Sequence, residues 1–372
     1  SKRSNCILDN SKLKLIYTFK KFPIFIGATK QGILKDKFVD MQIGISQKDL
    51  VQLKTLVNPK LLYSKFHSEA IGQTWKKHHK EFLRFLKKYS GQYVLEMGSG
   101  PLKPYHNLVN LKKFEKWTSI EPSKNIKSNI LKKPKLKIIK GFIEDIQINK
   151  VKNCDTLVHS HVIEHLFNPK KTLKKISQIK NLRKMVFSVP DLEYYIKKKY
   201  SNSLNFEHTY FINKKLIKYF LNSIGFKIAK TQKFQNHSVF YYAVKSRKQI
   251  LPQPTFKKNK NDYLLMIKFY KNKIKKINQM MKKHDGNIYI FGAHVFSQFL
   301  INFGLDINRI SYVLDNSYLK TNQRLYGYNL HIKKPEIIKK DFKPLIIAIV
   351  GQYKKEINSQ IKSLNKSAKI IN

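Results

Sequence analysis

A glutamate and a histidine stand side by side in an aromatic stretch of the sequence, NFEHTYF. Glu207 and His208 have Phe206, Tyr210 and Phe211 as near neighbours. A carboxylate in such surroundings is costly unless it is paired or hydrated. An imidazole has an ordinary pKa of about 6.5, so it can take a proton at neutral pH, and a carboxylate beside it can orient the ring. The pair is a candidate general base, although a histidine that merely donates to a backbone carbonyl would give the same pattern.

A glycine turn after an apolar strand is a second candidate site. The stretch VLEMGSGP carries Glu96 near the end of a predicted strand, followed by Gly98, Ser99 and Gly100. Glycines at such a turn let the backbone approach a ligand closely, and ligands of open α/β sheets bind at the carboxyl ends of the strands. Lys103 stands where a dinucleotide fingerprint would have its third glycine. The turn therefore predicts a ligand site, but not one for a pyrophosphate.

Acidic residues also end the next two predicted strands. In WTSIEPS the predicted strand ends at Glu121, and Pro122 follows it. A carboxylate at this position can accept hydrogen bonds from the two hydroxyl groups of a ribose. In GFIEDI, Glu144 and Asp145 can accept hydrogen bonds from an adenine amino group. A fourth strand leads into HSHVIEHL. These strand ends predict a site for an adenine nucleoside.

Strands and helices alternate around these motifs. Short apolar runs and helical stretches follow one another from 91 to 245, which predicts a parallel sheet covered on both faces. A polar, proline-containing linker is predicted at 246–261, and a second, shorter series of alternating strands and helices follows it. We therefore predict an α/β protein with an N-terminal module at 1–60, a central domain at 61–248 and a C-terminal domain at 249–372.

In this order, the four motifs resemble those of class I S-adenosylmethionine-dependent methyltransferases, which have a Rossmann-like fold. Over nearly its whole length the chain resembles the three-domain C-methyltransferases that act on nucleotide-linked keto-sugars. The most specific likeness is YIFGAHVFSQF with the later DNSYLKTNQRLYGYNL, similar to the Rossmann-like C-terminal domain of that family. The resemblance implies methyl transfer from S-adenosylmethionine to a nucleotide sugar.

Roles for single residues follow from the resemblance alone. It implies that His208 is the base, with Glu207 and His165 as further catalytic residues. His208 would deprotonate the carbon beside a ketone, and the enolate would attack the sulfonium methyl. The residues implied to bind the cofactor are Glu96, Gly98, Ser99, Gly100, Glu121, Pro122, Glu144, Asp145 and His161. Those implied to bind the substrate are His67, Ser68, His78, Asn205 and His237.

The chain departs from the family in two ways. The N-terminal module of the family binds zinc through four cysteines, whereas Cys6 here is followed by Asp9, Ile45 and Lys48 at the other three positions. Isoleucine and lysine cannot replace thiolates, so we predict no metal and a module held by packing alone. The family's substrate tyrosines and its HGGS segment are also replaced, which leaves O- or N-methylation of another small molecule open.

The net charge and the cysteine count indicate which partners and which cellular compartment to expect. The net charge of +51 comes almost entirely from lysine, with only six arginines, and the lysines are spread along the chain. We attribute this excess to coding bias and expect no nucleic-acid partner, with an RNA methyltransferase as the alternative and a scaffold without chemistry as a third possibility. Two cysteines and the lack of a signal-peptide core or membrane span predict a cytoplasmic protein. The oligomeric state is not predicted.

Overall fold

The structure, a computed structural model, describes residues 1–63, 72–98, 113–122, 135–151 and 153–372. Ser99 and Gly100 of the glycine turn, and His67 and Ser68 of the predicted substrate site, lie outside the described residues. Within the described residues, no helix has both the length and the apolar character needed to cross a bilayer.

A seven-stranded sheet forms the centre of the molecule. Its strands are β5 (Tyr93–Met97), β6 (Lys116–Glu121), β7 (Leu136–Lys140), β8 (Thr156–Ser160), β9 (Lys184–Pro190), β10 (Phe226–Phe234) and β11 (Ser238–Lys245), in the order β10-β11-β9-β8-β5-β6-β7. Six of the strands are parallel to one another, and β11 is antiparallel to its neighbours β9 and β10. Among the described residues its helices are α1 (Pro59–Leu62), α2 (Gln73–Tyr89), α3 (Pro169–Ser177), α4 (Leu192–Lys197) and α5 (Lys214–Ser223).

Successive residues of the central strands enter separate hydrophobic cores. Leu95 and Leu157 belong to the larger core, whereas the neighbouring Val94 and Val158 pack against α2 residues such as Phe82 in a smaller one. Apolar residues at every position of a strand are expected when helices cover both faces of a sheet. The predicted fold class, a mostly parallel Rossmann-like sheet, is confirmed.

A second, smaller sheet follows in the C-terminal third of the chain. Its strands β12 (Ile288–Phe291), β13 (Tyr312–Leu314), β15 (Ile332–Lys333), β16 (Leu345–Ile347) and β17 (Lys369–Ile371) are parallel, in the order β15-β13-β12-β16-β17. Its helices are α6 (Lys257–Lys282), α7 (Val295–Asn302) and α8 (Lys354–Leu364). The predicted linker is too long, because α6 already begins at Lys257, where the buried Phe256 and Asn259 anchor its first turn.

The N-terminal segment forms its own antiparallel sheet of β1 (Lys14–Pro23), β3 (Phe38–Ile45) and β4 (Val51–Leu53). A short strand, β2 (Ala28–Thr29), leaves this segment and pairs with β14 (Arg324–Leu325) beside the C-terminal sheet. Cys6 is buried, and its sulfur accepts hydrogen bonds from Gln52 Nε2 at 3.0 Å and from the backbone of Leu8 at 3.3 Å.

Buried arginines also join the N-terminal segment to the rest of the molecule. Arg324 Nη1 and Nη2 donate to the two carboxylate oxygens of Asp36 at 2.6 and 2.8 Å. Arg3 donates to the backbone oxygens of Thr209 and Phe167, both at 2.9 Å. The expectation that packing alone holds this segment is therefore incomplete, because charged hydrogen bonds, which a pattern search for zinc ligands does not detect, hold it on both sides.

Candidate functional site

A cavity of about 350 Å³ lies where the three parts of the molecule meet. Ile26 lines it from the N-terminal segment, His161 and His208 from the central domain, and Lys320 and Tyr353 from the C-terminal domain. A site between domains, with mostly apolar walls and a few polar groups, is typical of small-molecule binding.

The glycine turn lies at the carboxyl end of β5. Gly98 has φ of +63°, and a Cβ atom there would lie 2.8 Å from Val162 Cγ2. Only glycine fits this close approach without strain. Glu96 is fully buried, and its Oε2 accepts hydrogen bonds from Trp117 Nε1 and Ser119 Oγ, both at 3.0 Å. Glu96 therefore ties β5 to β6 beneath the turn.

The other predicted cofactor residues follow the neighbouring strands. Glu121 is the buried last residue of β6, and Pro122 follows it. Glu144 and Asp145 lie in an exposed turn after β7. All four stand at the carboxyl edge of the sheet, as Gly98 does, where ligands of parallel sheets bind.

The backbone of His208 is held in the cavity wall by the side chain of Asn205, which lies just after a short 3₁₀ helix, Ser201–Ser203. Asn205 Oδ1 accepts hydrogen bonds from the backbone N–H groups of Glu207 at 2.8 Å and His208 at 3.1 Å. Burial lowers the pKa of His208 below its ordinary value, and the negative charge of Glu164 partly opposes this. The ring is therefore neutral at pH 7, as a general base must be.

Glu164, His165 and Tyr63 surround the base. Glu164 is fully buried on a short 3₁₀ turn, and its Oε1 lies 4.0 Å from His165 Nε2. The rings of His165 and His208 meet edge to face with centres 5.1 Å apart. Burial raises the pKa of Tyr63 well above its ordinary value, so its hydroxyl keeps its proton and can donate to His165 Nδ1 at 2.8 Å.

A second group of imidazoles lies on the other side of Glu164. Glu164 Oε1 is 3.3 Å from His161 Nδ1, and His161 Nε2 is 2.9 Å from Ser238 Oγ. The same hydroxyl bonds His237 Nδ1. His78, buried on α2, completes the group, since one ligand atom each of His78, His161 and His237 lie within 4.8 Å of one another.

Trp75 covers this group of imidazoles. Its ring centre lies 5.1 Å from those of His78 and His161 and 4.6 Å from that of His237. Trp75 Nε1 donates to the hydroxyl of Tyr353 at 2.8 Å, which joins α2 to the C-terminal domain. The structure thus brings the predicted histidines together in two neighbouring groups that share one carboxylate.

Sequence reasoning missed four residues of these groups: Tyr63, Trp75, Glu164 and Ser238. Two of them carried a signal. Glu164 stands between the histidines of HVIEH, and Trp75 precedes His78 by three residues, which places both on one face of a helix. Tyr63 and Ser238 have no such pattern in the sequence.

The described cavity wall contains one side chain with a permanent positive charge, Lys320. Its Nζ donates to Asp315 Oδ2 and to the backbone oxygen of Ala293, both at 3.0 Å. Asp315 Oδ2 also accepts from the backbone N–H of Ala293 at 2.8 Å. The turn after β12 and the end of β13 therefore hold a buried lysine at the carboxyl edge of the second sheet.

A family model, the C-methyltransferase C-terminal domain, matches residues 242–371. No curated protein matches the sequence. Among solved structures, an S-adenosylmethionine-dependent methyltransferase from Mesorhizobium loti has 9% identity over 45% of this chain and 96% of its own, with a TM-score of 0.37. The N-methyltransferase NodS from Bradyrhizobium japonicum, in complex with S-adenosyl-L-homocysteine, has 10% identity over 47% of this chain and 89% of its own, also with a TM-score of 0.37.

Structural likenesses of this size carry no argument about the chemistry of this chain. The matched C-terminal domain indicates the predicted enzyme class, a methyltransferase. The strand order of the central sheet confirms the fold alone, and S-adenosylmethionine as the methyl donor stays a prediction. The acceptor and the roles of single residues stay predictions.

Proposed function

We propose that the protein transfers the methyl group of S-adenosylmethionine to a carbon atom beside the ketone of a nucleotide-linked sugar, with His208 as the general base. The observation that carries this proposal is the position of His208. It is a neutral imidazole in the wall of the cavity, with its backbone fixed by Asn205. The matched C-methyltransferase domain supports carbon as the methylated atom.

The chemistry needs a base and good alignment. His208 takes the proton from the carbon, and the C–H electrons move into the carbonyl to form an enolate. The enolate carbon then bonds the methyl group as the methyl–sulfur bond breaks and S-adenosylhomocysteine leaves. Glu164 stabilises the imidazolium that forms, because it is a buried carboxylate whose charge already favours protonation of His208. The protein contributes mainly a basic group and a fixed geometry.

The donor would lie along the carboxyl edge of the central sheet. In this proposal Gly98 allows the methionine part to approach the backbone, Glu121 accepts the ribose hydroxyls, and Glu144 with Asp145 faces the adenine. Lys320 supports an acceptor that carries a phosphate. Its ammonium group has three N–H donors, and two of them donate to Asp315 and to the backbone oxygen of Ala293. The third can bond a phosphate oxygen in the cavity.

Proton exchange tests the base separately from methyl transfer. With S-adenosylhomocysteine bound, the wild-type protein should exchange the proton beside the ketone of a nucleotide-linked keto-sugar in D₂O, which nuclear magnetic resonance detects. His208→Gln should slow this exchange by about 10²–10⁴-fold, the usual contribution of a general base. Its affinity for S-adenosylhomocysteine should stay within twofold of wild type.

A matched variant separates the cofactor site from the base. Glu121→Ala should weaken S-adenosylhomocysteine binding by about 1.5–3 kcal/mol in titration calorimetry, the range of a hydrogen bond to a charged group. Proton exchange at saturating S-adenosylhomocysteine should persist in this variant. Undiminished exchange in His208→Gln would refute the assignment of the base.

The net charge of +51 favours RNA as a second candidate acceptor. Binding to phosphates releases counterions and weakens steeply with salt. Retention on an RNA column at physiological salt, with methyl transfer to the bound RNA, would support this alternative. We expect no methylated RNA, because Lys320 is the one lysine or arginine on the described cavity wall, too few to hold an RNA backbone at the site of methyl transfer.

A further inference from the structure

We propose that His78, His161 and His237 form a binding site for a divalent transition-metal ion of the zinc type. The resemblance described above implied a substrate role for His78 and His237 and a cofactor role for His161, and the sequence predicted no metal. This proposal rests on the arrangement of the three rings, not on the proposed acceptor.

The spacing of the rings fits one tetrahedral ion. With metal–nitrogen bonds of about 2.0–2.1 Å, the centres of three imidazoles on one zinc ion lie roughly 5.2 Å apart. The observed separations are 5.3 Å for His78 and His161, 5.4 Å for His78 and His237, and 5.6 Å for His161 and His237. The ligand atoms lie within 4.8 Å of one another.

Oxygen atoms are already placed around this group as a metal site requires. A histidine ligand usually bonds a carboxylate, carbonyl or hydroxyl through its other nitrogen, which fixes the ring and makes it a better ligand. Glu164 is 3.3 Å from His161 Nδ1, and Ser238 Oγ bonds His237 Nδ1. A metal on His161 Nε2 would take the place of its hydrogen bond to Ser238.

The second ring nitrogen of His237 also indicates a metal site. His237 Nε2 is buried and, among the described residues, has no hydrogen-bond partner. A polar atom buried without a partner costs free energy, and a bound ion would remove that cost. Trp75 covers the three rings on one side, with its ring centre 4.6 to 5.1 Å from theirs, so an ion among them would be shielded there from the cavity.

Three imidazoles are the protein ligands of many zinc sites, and a further ligand completes the tetrahedron. Because Trp75 covers the group, the ion proposed here would be a structural one that joins α2 to the end of β8 and the start of β11. Metal binding does not rest on the proposed function.

The other candidate group, Glu164, His165 and His208, has one carboxylate and two imidazoles. His165 Nδ1 is occupied by the hydroxyl of Tyr63 at 2.8 Å. We therefore place the ion at the three-histidine group and use the second group as the control.

Metal titration of the full chain tests the proposal without any acceptor. After removal of metal with a chelator, wild-type protein should bind one equivalent of Zn²⁺ in titration calorimetry, and the Co²⁺ form should show the visible spectrum of a tetrahedral ion. His237→Asn and His161→Gln should each lower the affinity for Zn²⁺ by at least about 100-fold, more than the 10–100-fold cost of losing an orienting partner. Glu164→Gln should fall within that smaller range.

Two histidines outside the group serve as controls. His331→Ala, on an exposed strand end, and His208→Gln should bind Zn²⁺ as the wild type does. An unchanged circular dichroism spectrum and an unchanged midpoint of urea unfolding show that each variant is folded. Failure of the wild type to bind one equivalent would overturn the proposal. It would also be overturned if His208→Gln lost the metal while His237→Asn kept it, since the ion would then lie at the other group.

Discussion

The buried ion pair between Asp36 and Arg324 gives a sharp test of how the N-terminal segment is held. The side chain of Asp36 is 0% exposed and that of Arg324 is 7% exposed. Asp36 also accepts from the backbone N–H of Gly327 at 2.7 Å. Asp36→Asn keeps the shape of the side chain but leaves a guanidinium buried without its anion. Breaking a buried pair in this way costs about 3–5 kcal/mol.

Hydrogen exchange at the junction of β2 and β14 measures this cost directly. The backbone N–H of Tyr326 donates to Gly27 there at 2.9 Å, and protection of such an amide reports local opening. Because about 1.4 kcal/mol corresponds to a factor of ten, exchange in Asp36→Asn should accelerate on the order of 10²–10⁴-fold. The peptides that contain the central sheet should change little.

A second variant separates the charge from the packing. Asp36→Asn combined with Arg324→Met removes both charges, and an apolar replacement of a whole buried pair is often neutral. The double variant should regain most of the lost protection. If the single variant exchanged within about threefold of wild type, a difference below roughly 0.7 kcal/mol, the pair would contribute little and packing would hold the segment on this side.

Three further predictions concern the central domain. Gly98→Ala should destabilise the protein by about 1–2 kcal/mol in urea unfolding, since a Cβ at its positive φ is strained and meets Val162. Arg3→Leu should cost about 1.5–3 kcal/mol and lower kcat, because its bond to Thr209 holds the loop of His208. The acid limb of kcat/KM should have its inflection below pH about 6.5, because burial lowers the pKa of His208 and the base must be unprotonated; no inflection below that pH would refute this.

Much of the fold could be predicted because hydrophobic pattern and strand ends are local properties. The alternation of apolar strands and amphipathic helices predicted both parallel sheets, and the glycine of the turn after β5 has the positive φ that its position requires. The start of α6 could not be predicted. Its first turn is polar in sequence, and the burial of Phe256 and Asn259 depends on contacts with distant parts of the chain that no local pattern indicates.

The site could be predicted only where neighbouring residues share a motif. The pair at 207–208 and the histidines of HVIEH were found from sequence because they are close along the chain. The group of His78, His161 and His237 joins α2, the end of β8 and the start of β11, which are far apart in sequence. Ser238 bonds two of these rings, and nothing in the sequence around it indicates such a role.

The contact between Trp75 and Tyr353 has a consequence for the order in which the molecule matures. α2, which carries Trp75, precedes every strand of the central sheet, whereas Tyr353 lies beyond β16 of the second sheet. During synthesis the cavity wall that includes Tyr353 can therefore form only after residues near 350–357 have left the ribosome. Until then Trp75 Nε1 lacks the hydroxyl to which it donates in the folded protein, so the two walls of the cavity stay unjoined.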